Sequence, residues 1–210
     1  MRQDLHLKPA DDFFYLNQGG CLEIDRRNEI EEFRELVAAM DSLGFDAAFQ
    51  KSIWSSLAAI LHLGNIEFGA SKGNDNGSYV MQPQDCKRIA QLLNLPMPEL
   101  LERALCFREN TVGSETIVIA VEPKKAMDQR DALAKYIYGK VFEKIVATVN
   151  TSLFRGKHGC NIGVLDIFGF EVFKNNSFEQ LCINYCNERL QSFFNDVIFE
   201  EELKMYVADG

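Results

Sequence analysis

The run Ile162-Gly163-Val164-Leu165-Asp166 constrains this chain more than any other segment. An apolar stretch of that length reads as a buried strand, and it ends in a carboxylate. A strand held in the core that presents an Asp at its carboxyl end is what a nucleotide-hydrolysing sheet requires, because the acid then stands in the crevice where ligands bind. There it can organise Mg²⁺, often through the ion's own water, since Mg²⁺ dehydrates reluctantly. Gly169 follows, and without a Cβ it can bring its N–H close to a phosphate oxygen. Glu171 comes next and could pair with a cation across the crevice. The same order of residues also fits a plain turn capped by Asp166, and the residues alone leave both readings standing. No G-x-x-x-x-G-K followed by Ser or Thr, the usual phosphate cradle, occurs in the chain.

With 210 residues, 47% of them hydrophobic, the chain can bury a sizeable core in one large domain or two small ones. Its formal net charge of -9 sets it against nucleic acid and anionic membranes, whose fields would repel it. The cysteines, at 21, 86, 106, 160, 182 and 186, form no CxxC pair and lie near no histidine cluster, which argues against a zinc site or a disulfide framework. Cys182 and Cys186 would share a helix face and are expected as buried thiols in a reducing compartment. The first five residues lack the apolar core of a signal peptide, and Ile53 to Ile66 is too short and too interrupted to span a bilayer. A cytosolic protein without membrane insertion is expected.

Helical periodicity begins at Asn28, with Ile30, Phe33, Leu36, Val37 and Met40 three and four apart, and Gly44 placed to end it. A second helix is predicted from Asp46 to Leu63. Residues 69–78 read as a surface loop between two short strands, followed by short helices near Pro83–Leu93 and Pro98–Cys106. Thr116 to Val121 is β-rich, and Val112-Gly113-Ser114 could supply a turn before it. A long helix is predicted from about Lys125 to Leu153 and a last one from Phe178 to about Met205. Ser177 and Gln180 make a capping box at its start. The first turns of that helix are apolar on nearly every side, so neighbours are expected to enclose them. His62 reads as a hydrogen-bonded core residue, and Trp54 as a packing residue.

Asp166-Ile167-Phe168-Gly169-Phe170-Glu171 resembles the switch II motif of myosin motors. The following Asn176-Ser177-Phe178-Glu179-Gln180-Leu181-Cys182-Ile183-Asn184-Tyr185 and Asn187-Glu188-Arg189-Leu190-Gln191-Ser192-Phe193-Phe194-Asn195 resemble the start of that family's relay helix, at the family's spacing. Upstream, Tyr15-Leu16-Asn17, Ile60-Leu61-His62-Leu63-Gly64-Asn65-Ile66 and Arg130-Asp131-Ala132-Leu133-Ala134-Lys135 are similar to myosin segments in the same order. The resemblance covers nearly the whole chain. It implies an α/β, mostly helical fold, part of the P-loop NTPase-like motor architecture with a portion of its central sheet. Residues 1–160 would then belong to the upper and lower actin-binding region, and 161–210 to the switch II strand and loop with the relay helix. Leu203 departs from the Gln frequent at its position.

The resemblance also assigns roles. Asp166 would sit in the second coordination shell of the nucleotide's Mg²⁺, reached through water, and Asp166, Ile167, Phe168, Gly169 and Phe170 would form the segment facing ATP. Gly169 would donate its N–H to the γ-phosphate. Glu171 would pair with a switch I arginine when the site closes and help place the attacking water; neither that arginine's segment nor the phosphate cradle is expected in this chain, so no turnover is expected of it alone. Residues 106–121 would be a surface loop contacting F-actin, with Glu115 and Arg108 as charged contacts. The implied protein is an ATP-driven, actin-based motor in the cytoplasm, associated with the cytoskeleton. The competing reading is a non-catalytic module that keeps the fold and binds actin without hydrolysing ATP. A carboxylate hydrolase using Asp166 and Glu171 as acid and base rests on those two residues alone.

Overall fold

The computed structural model describes residues 3–71, 77–113, 115–154, 156 and 162–209, apart from the side chains of Val112, Glu115 and Asp209. The chain separates into two compact units, Met1–Arg155 and Gly156–Gly210. Both are dominated by helix, and the described sheets are two small antiparallel pairs.

In the first unit a short helix α1 (Phe14–Asn17) leads to α2 (Glu29–Ser42) and α3 (Ala47–Gly64). Asn28 caps α2 by accepting from the Glu31 N–H at 3.3 Å, and Asp46 caps α3 by accepting from the Phe49 N–H at 2.7 Å. The chain leaves α2 through Gly44, whose φ of 79° suits a residue without Cβ. The Gly44 N–H then reaches the Asp41 carbonyl and the Phe45 N–H the Met40 carbonyl, both at 3.0 Å, which satisfies two carbonyls of the last turn.

Strands β1 (Phe68–Ala70) and β2 (Ser78–Val80) pair antiparallel; the middle of the predicted loop, 72–76, lies outside the described residues. Helices α4 (Pro83–Leu92) and α5 (Glu99–Cys106) follow. The β-rich run expected over 116–121 and the turn expected at 112–114 fall in a paired hairpin, β3 (Phe107–Val112) against β4 (Glu115–Ala120), with Gly113 at a φ of 64°; β3 is the strand that was not expected. The β-branched run Thr116–Ile119 had a partner strand in the preceding residues, and pairing satisfies backbone groups that a loop would leave to water. The long helix α6 (Pro123–Leu153) completes the unit.

Burial explains the order of these elements. Ala59 and Leu63 of α3, Val80 of β2, Cys86 and Ile89 of α4, Leu101 and Leu105 of α5 and Ala134 of α6 close into one core with Ile66. Met40, Phe45 and Ile53 form a second cluster, against which Val141, Ile145 and Val149 of α6 pack. Trp54 stands 5.3 Å from the Phe33 ring. His62 is buried and bonded through Nε2 to the Leu5 carbonyl at 3.2 Å, as a core histidine should be.

Arg130 ties the first unit together. Its Nη1 donates to the carbonyls of Gly64 and Ile66, at 3.1 and 3.0 Å, placing a cation at the carboxyl end of α3. Its Nε donates to Asp131 at 2.8 Å, and Asp131 in turn accepts from the Tyr15 hydroxyl at 2.5 Å.

The second unit carries an extended segment and α7 (Phe178–Asp209). The strand expected over 161–166 is not formed: 162–166 are unpaired, and Ile162 and Val164 are 98% and 93% exposed. A strand needs a neighbour for its N–H and C=O groups, and none of the described strands pairs with it. The expected enclosure of α7 is likewise not met. Phe178, Leu181 and Tyr185 are exposed, and so are Cys182 and Cys186, which were expected to be buried. An apolar pattern shows that a face needs cover; the described residues of this unit do not supply it.

Candidate functional site

Loop 166–171 is held by the amino-terminal half of α7. Ser177 begins that helix with both its N–H and its hydroxyl donating to Gln180 Oε1 at 2.9 Å, so the half of the capping box in which Gln180 reaches back to the Ser177 N–H is formed. Ser177 Oγ also contacts the Glu179 carboxylate. Just upstream, Asn176 accepts from the Phe173 N–H at 2.9 Å and donates to the Phe173 carbonyl at 2.7 Å, which closes the turn into the helix.

With the start of α7 fixed, its side chains at 180, 184 and 187 recur four and three apart and share one face. All three are amides, and all three reach the loop. Asn184 accepts from the Glu171 N–H at 2.7 Å and donates to the Glu171 carbonyl at 2.8 Å. Asn187 donates to the Gly169 carbonyl at 3.2 Å and to the Ile183 carbonyl at 3.0 Å. Gln180 Nε2 approaches the Glu171 carboxylate at 3.4 Å. The loop is therefore pinned at Gly169 and Glu171, while Asp166 stays exposed.

Asp166, Ile167 and Phe168 line one wall of an open cleft of about 540 Å³ whose other wall is Ile183, Cys186 and Asn187 of α7. A Cβ built on Gly169 would meet nothing within 4 Å, so the face of the loop at Gly169 is open. Among the described residues no three His, Cys, Asp or Glu side chains gather to hold a metal directly. Asp166, Ile167, Phe168, Gly169, Phe170 and Glu171 thus form one continuous element. Among the described residues no hydrogen bond joins Asp166 to Glu171, and the Glu171 carboxylate is approached by Gln180 instead.

In the first unit Arg108 lies on β3, opposite Ile119 of β4, and borders a shallow depression with Asn110, Ile119, Glu122 and Lys125. Glu115 opens β4 opposite Val112, and its side chain lies outside the described residues. The register alternates so that positions 108, 110 and 112 share a face with 119, 117 and 115. The aliphatic side chains of Ile117, Val118 and Ile119 are exposed on the hairpin.

Sequence reasoning found the loop and missed the amides that hold it. Asparagine is a poor residue for a helix interior because its side chain competes for nearby backbone groups. Asn184 and Asn187 inside a helical stretch, on the face of Gln180, were the available signal.

Residues 1–210 match the sequence profile of the myosin head (motor domain). The chain is 39% identical to the human protein Unconventional myosin-XV over 210 residues, all of this chain and 6% of that protein. It is 41% identical to Myosin-I heavy chain of Dictyostelium discoideum over 209 residues, 98% of this chain and 9% of that protein. Myosin-16 of Arabidopsis thaliana is 44% identical over 198 residues, 92% of this chain and 16% of that protein. With a profile match along its whole length and relatives near 40% identity, the chain belongs to the myosin head (motor domain) family.

Proposed function

We propose that this chain supplies the phosphate-sensing loop, the relay helix and part of the actin-facing surface of an ATP-driven, actin-based motor of the cytoplasm and cytoskeleton. Residues 161–210 would be switch II with the relay helix, and 1–160 part of the upper and lower actin-binding region, within a P-loop NTPase-like fold. The observation that carries the reading is the loop from Asp166 to Glu171, fastened to α7 by side-chain amides while its Gly169 face stays open.

The residues fit a nucleotide's phosphates and Mg²⁺ in a limited way. One exposed carboxylate, Asp166, suits contact with the ion through water rather than direct ligation. The open face at Gly169 admits a phosphate oxygen to its N–H, and Glu171 would pair with a switch I arginine to place the attacking water. Such a site works by positioning and by electrostatic stabilisation of developing charge. Bound Mg²⁺ would neutralise charge on the transferred phosphoryl group. The chain by itself, without a phosphate cradle sequence, is proposed to hydrolyse no ATP.

Gly169→Ala in the full-length protein tests this reading. A Cβ there meets nothing within 4 Å among the described residues, so folding should be undisturbed. Actin-activated phosphate release with Mg-ATP should nevertheless fall at least about tenfold, because the methyl group occupies the space a phosphate oxygen would take. Unchanged turnover would defeat the assignment. The alternative is a non-catalytic actin-binding module that keeps the fold; it predicts co-sedimentation with F-actin and no turnover in the full-length protein. On either reading Arg108 and Glu115 are the proposed actin contacts.

A further inference from the structure

We infer that Asn184 is a positioning residue for Glu171: it sets the Glu171 peptide from the interior of α7 without touching the reacting atoms. The inference rests on the reading of 166–171 as a phosphate-sensing loop and goes beyond it by naming what aims the acid. One primary amide meets both backbone groups of one residue. Its Oδ1 accepts from the Glu171 N–H at 2.7 Å, and its Nδ2 donates to the Glu171 carbonyl at 2.8 Å. Gripping a residue by both groups restrains φ and ψ together, and with them the direction in which the side chain leaves the backbone.

The carboxylate is held differently. Among the described residues it is approached by Gln180 Nε2, at a long 3.4 Å. Glu171 is therefore fixed at its root and loosely held at its tip, which leaves the acid free to exchange Gln180 for a stronger partner such as a guanidinium. Asn184 is half-buried and lies in the middle of a helical run, where leucine would be the better helix former. Asparagine there is accounted for by what its amide does outside the helix.

The test uses Asn184→Leu and Asn184→Asp in the full-length protein, with Glu171→Gln as control. Leucine keeps the branching at Cγ, with bulkier methyl groups, and removes both bonds; aspartate keeps the oxygen that faces the Glu171 N–H and loses the donor. Loss of two neutral hydrogen bonds predicts a roughly tenfold or larger drop in kcat for Mg-ATP in N184L, with KM for ATP within about twofold. N184D should fall less. Amide exchange at Glu171, read by mass spectrometry, should be faster in N184L than in the parent and near the parent in N184D. If E171Q leaves turnover unchanged, the phosphate-sensing reading fails. If E171Q lowers turnover while N184L matches the parent in kcat and in exchange, the positioning inference is refuted and the reading stands. A rise in KM in step with the fall in kcat would also refute it, by showing general damage.

Discussion

Gly64→Ala pits two known effects against each other in the first unit. Gly64 is the last residue of α3, where alanine ordinarily stabilises a helix by up to about 1 kcal/mol. Here the added Cβ would lie 2.8, 2.9 and 3.0 Å from Cδ2, Cε2 and Cγ of Tyr15. Those atoms include the root of the ring, so a rotation about the side chain's end does not relieve the clash. The ring is also anchored. Its hydroxyl donates to Asp131 at 2.5 Å, and the Arg130 guanidinium lies 5.8 Å from its centroid. The backbone behind it is fixed as well, since Asn65 accepts from the Phe14 N–H at 2.8 Å and donates to the Asp12 carbonyl at 2.6 Å. Overpacking of this kind costs about 1–3 kcal/mol, and breaking the bond to Asp131 would add about 1.5–3 kcal/mol. After the helix gain, a net loss of about 3 kcal/mol is expected. With a urea m-value of ~2 kcal/mol/M for a unit of this size, the midpoint should fall by about 1.5 M. Trp54, the single tryptophan, lies in the first unit and reports its unfolding by fluorescence. In a Tyr15→Ala background the same change should be neutral or mildly stabilising, because the obstruction is gone and the propensity gain remains. A Gly64→Ala variant as stable as the parent, or a cycle with no coupling between positions 15 and 64, would refute the packing argument.

The pH response of the first unit should carry the mark of His62. Burial holds its pKa below the ordinary 6.5, so below that pH the unfolded chain takes up a proton that the folded chain does not. Stability should be flat above pH 6.5 with respect to this group and should fall as pH drops from 6.5 toward the depressed folded value; urea midpoints for His62→Gln should show a shallower fall over that range, and an identical profile would contradict the burial. Thiol labelling under native conditions should separate the cysteines. Cys21, Cys182 and Cys186 are exposed and should react promptly, whereas Cys86 and Cys106 are buried, with the Cys86 thiol pushed up to about 12 by desolvation, and should react only on unfolding. Peptide mapping that finds Cys86 modified as fast as Cys182 would contradict the core described.

The features that were legible in the sequence share a short range. Asn28 and Asp46 cap helices because each needs only an N–H three residues away, and Gln180 reaches back three residues to the Ser177 N–H, so type and spacing are sufficient. Gly44 could be read as a helix stop for the same reason. The strand at 162–166 depends on something else: an apolar run records that a segment must be covered, and pairing is a property of the neighbour. The hairpin at 107–120 was half legible. Its second strand is β-branched, but Arg108-Glu109-Asn110 in the first offers no alternating apolar face, and only the register identifies it as the partner.

The candidate site divides along the same line. Asp166, Gly169 and Glu171 stand close together in sequence, and that closeness made them legible as one loop. What gives the loop its shape comes from Asn184 and Asn187, 13 residues beyond Glu171 and 18 beyond Gly169. An amide can donate to or accept from almost any backbone group, so residue type alone does not name its target. The target follows only once α7 is placed, because the bonds from Ser177 to the Gln180 side chain mark where the helix begins, and the helical period then turns 180, 184 and 187 toward the loop. The cap and the amide face therefore act in sequence. A substitution that shifted the start of α7 by one residue would rotate the amides away by about a quarter turn or more, and Glu171 would lose its anchor although neither it nor Asn184 had changed.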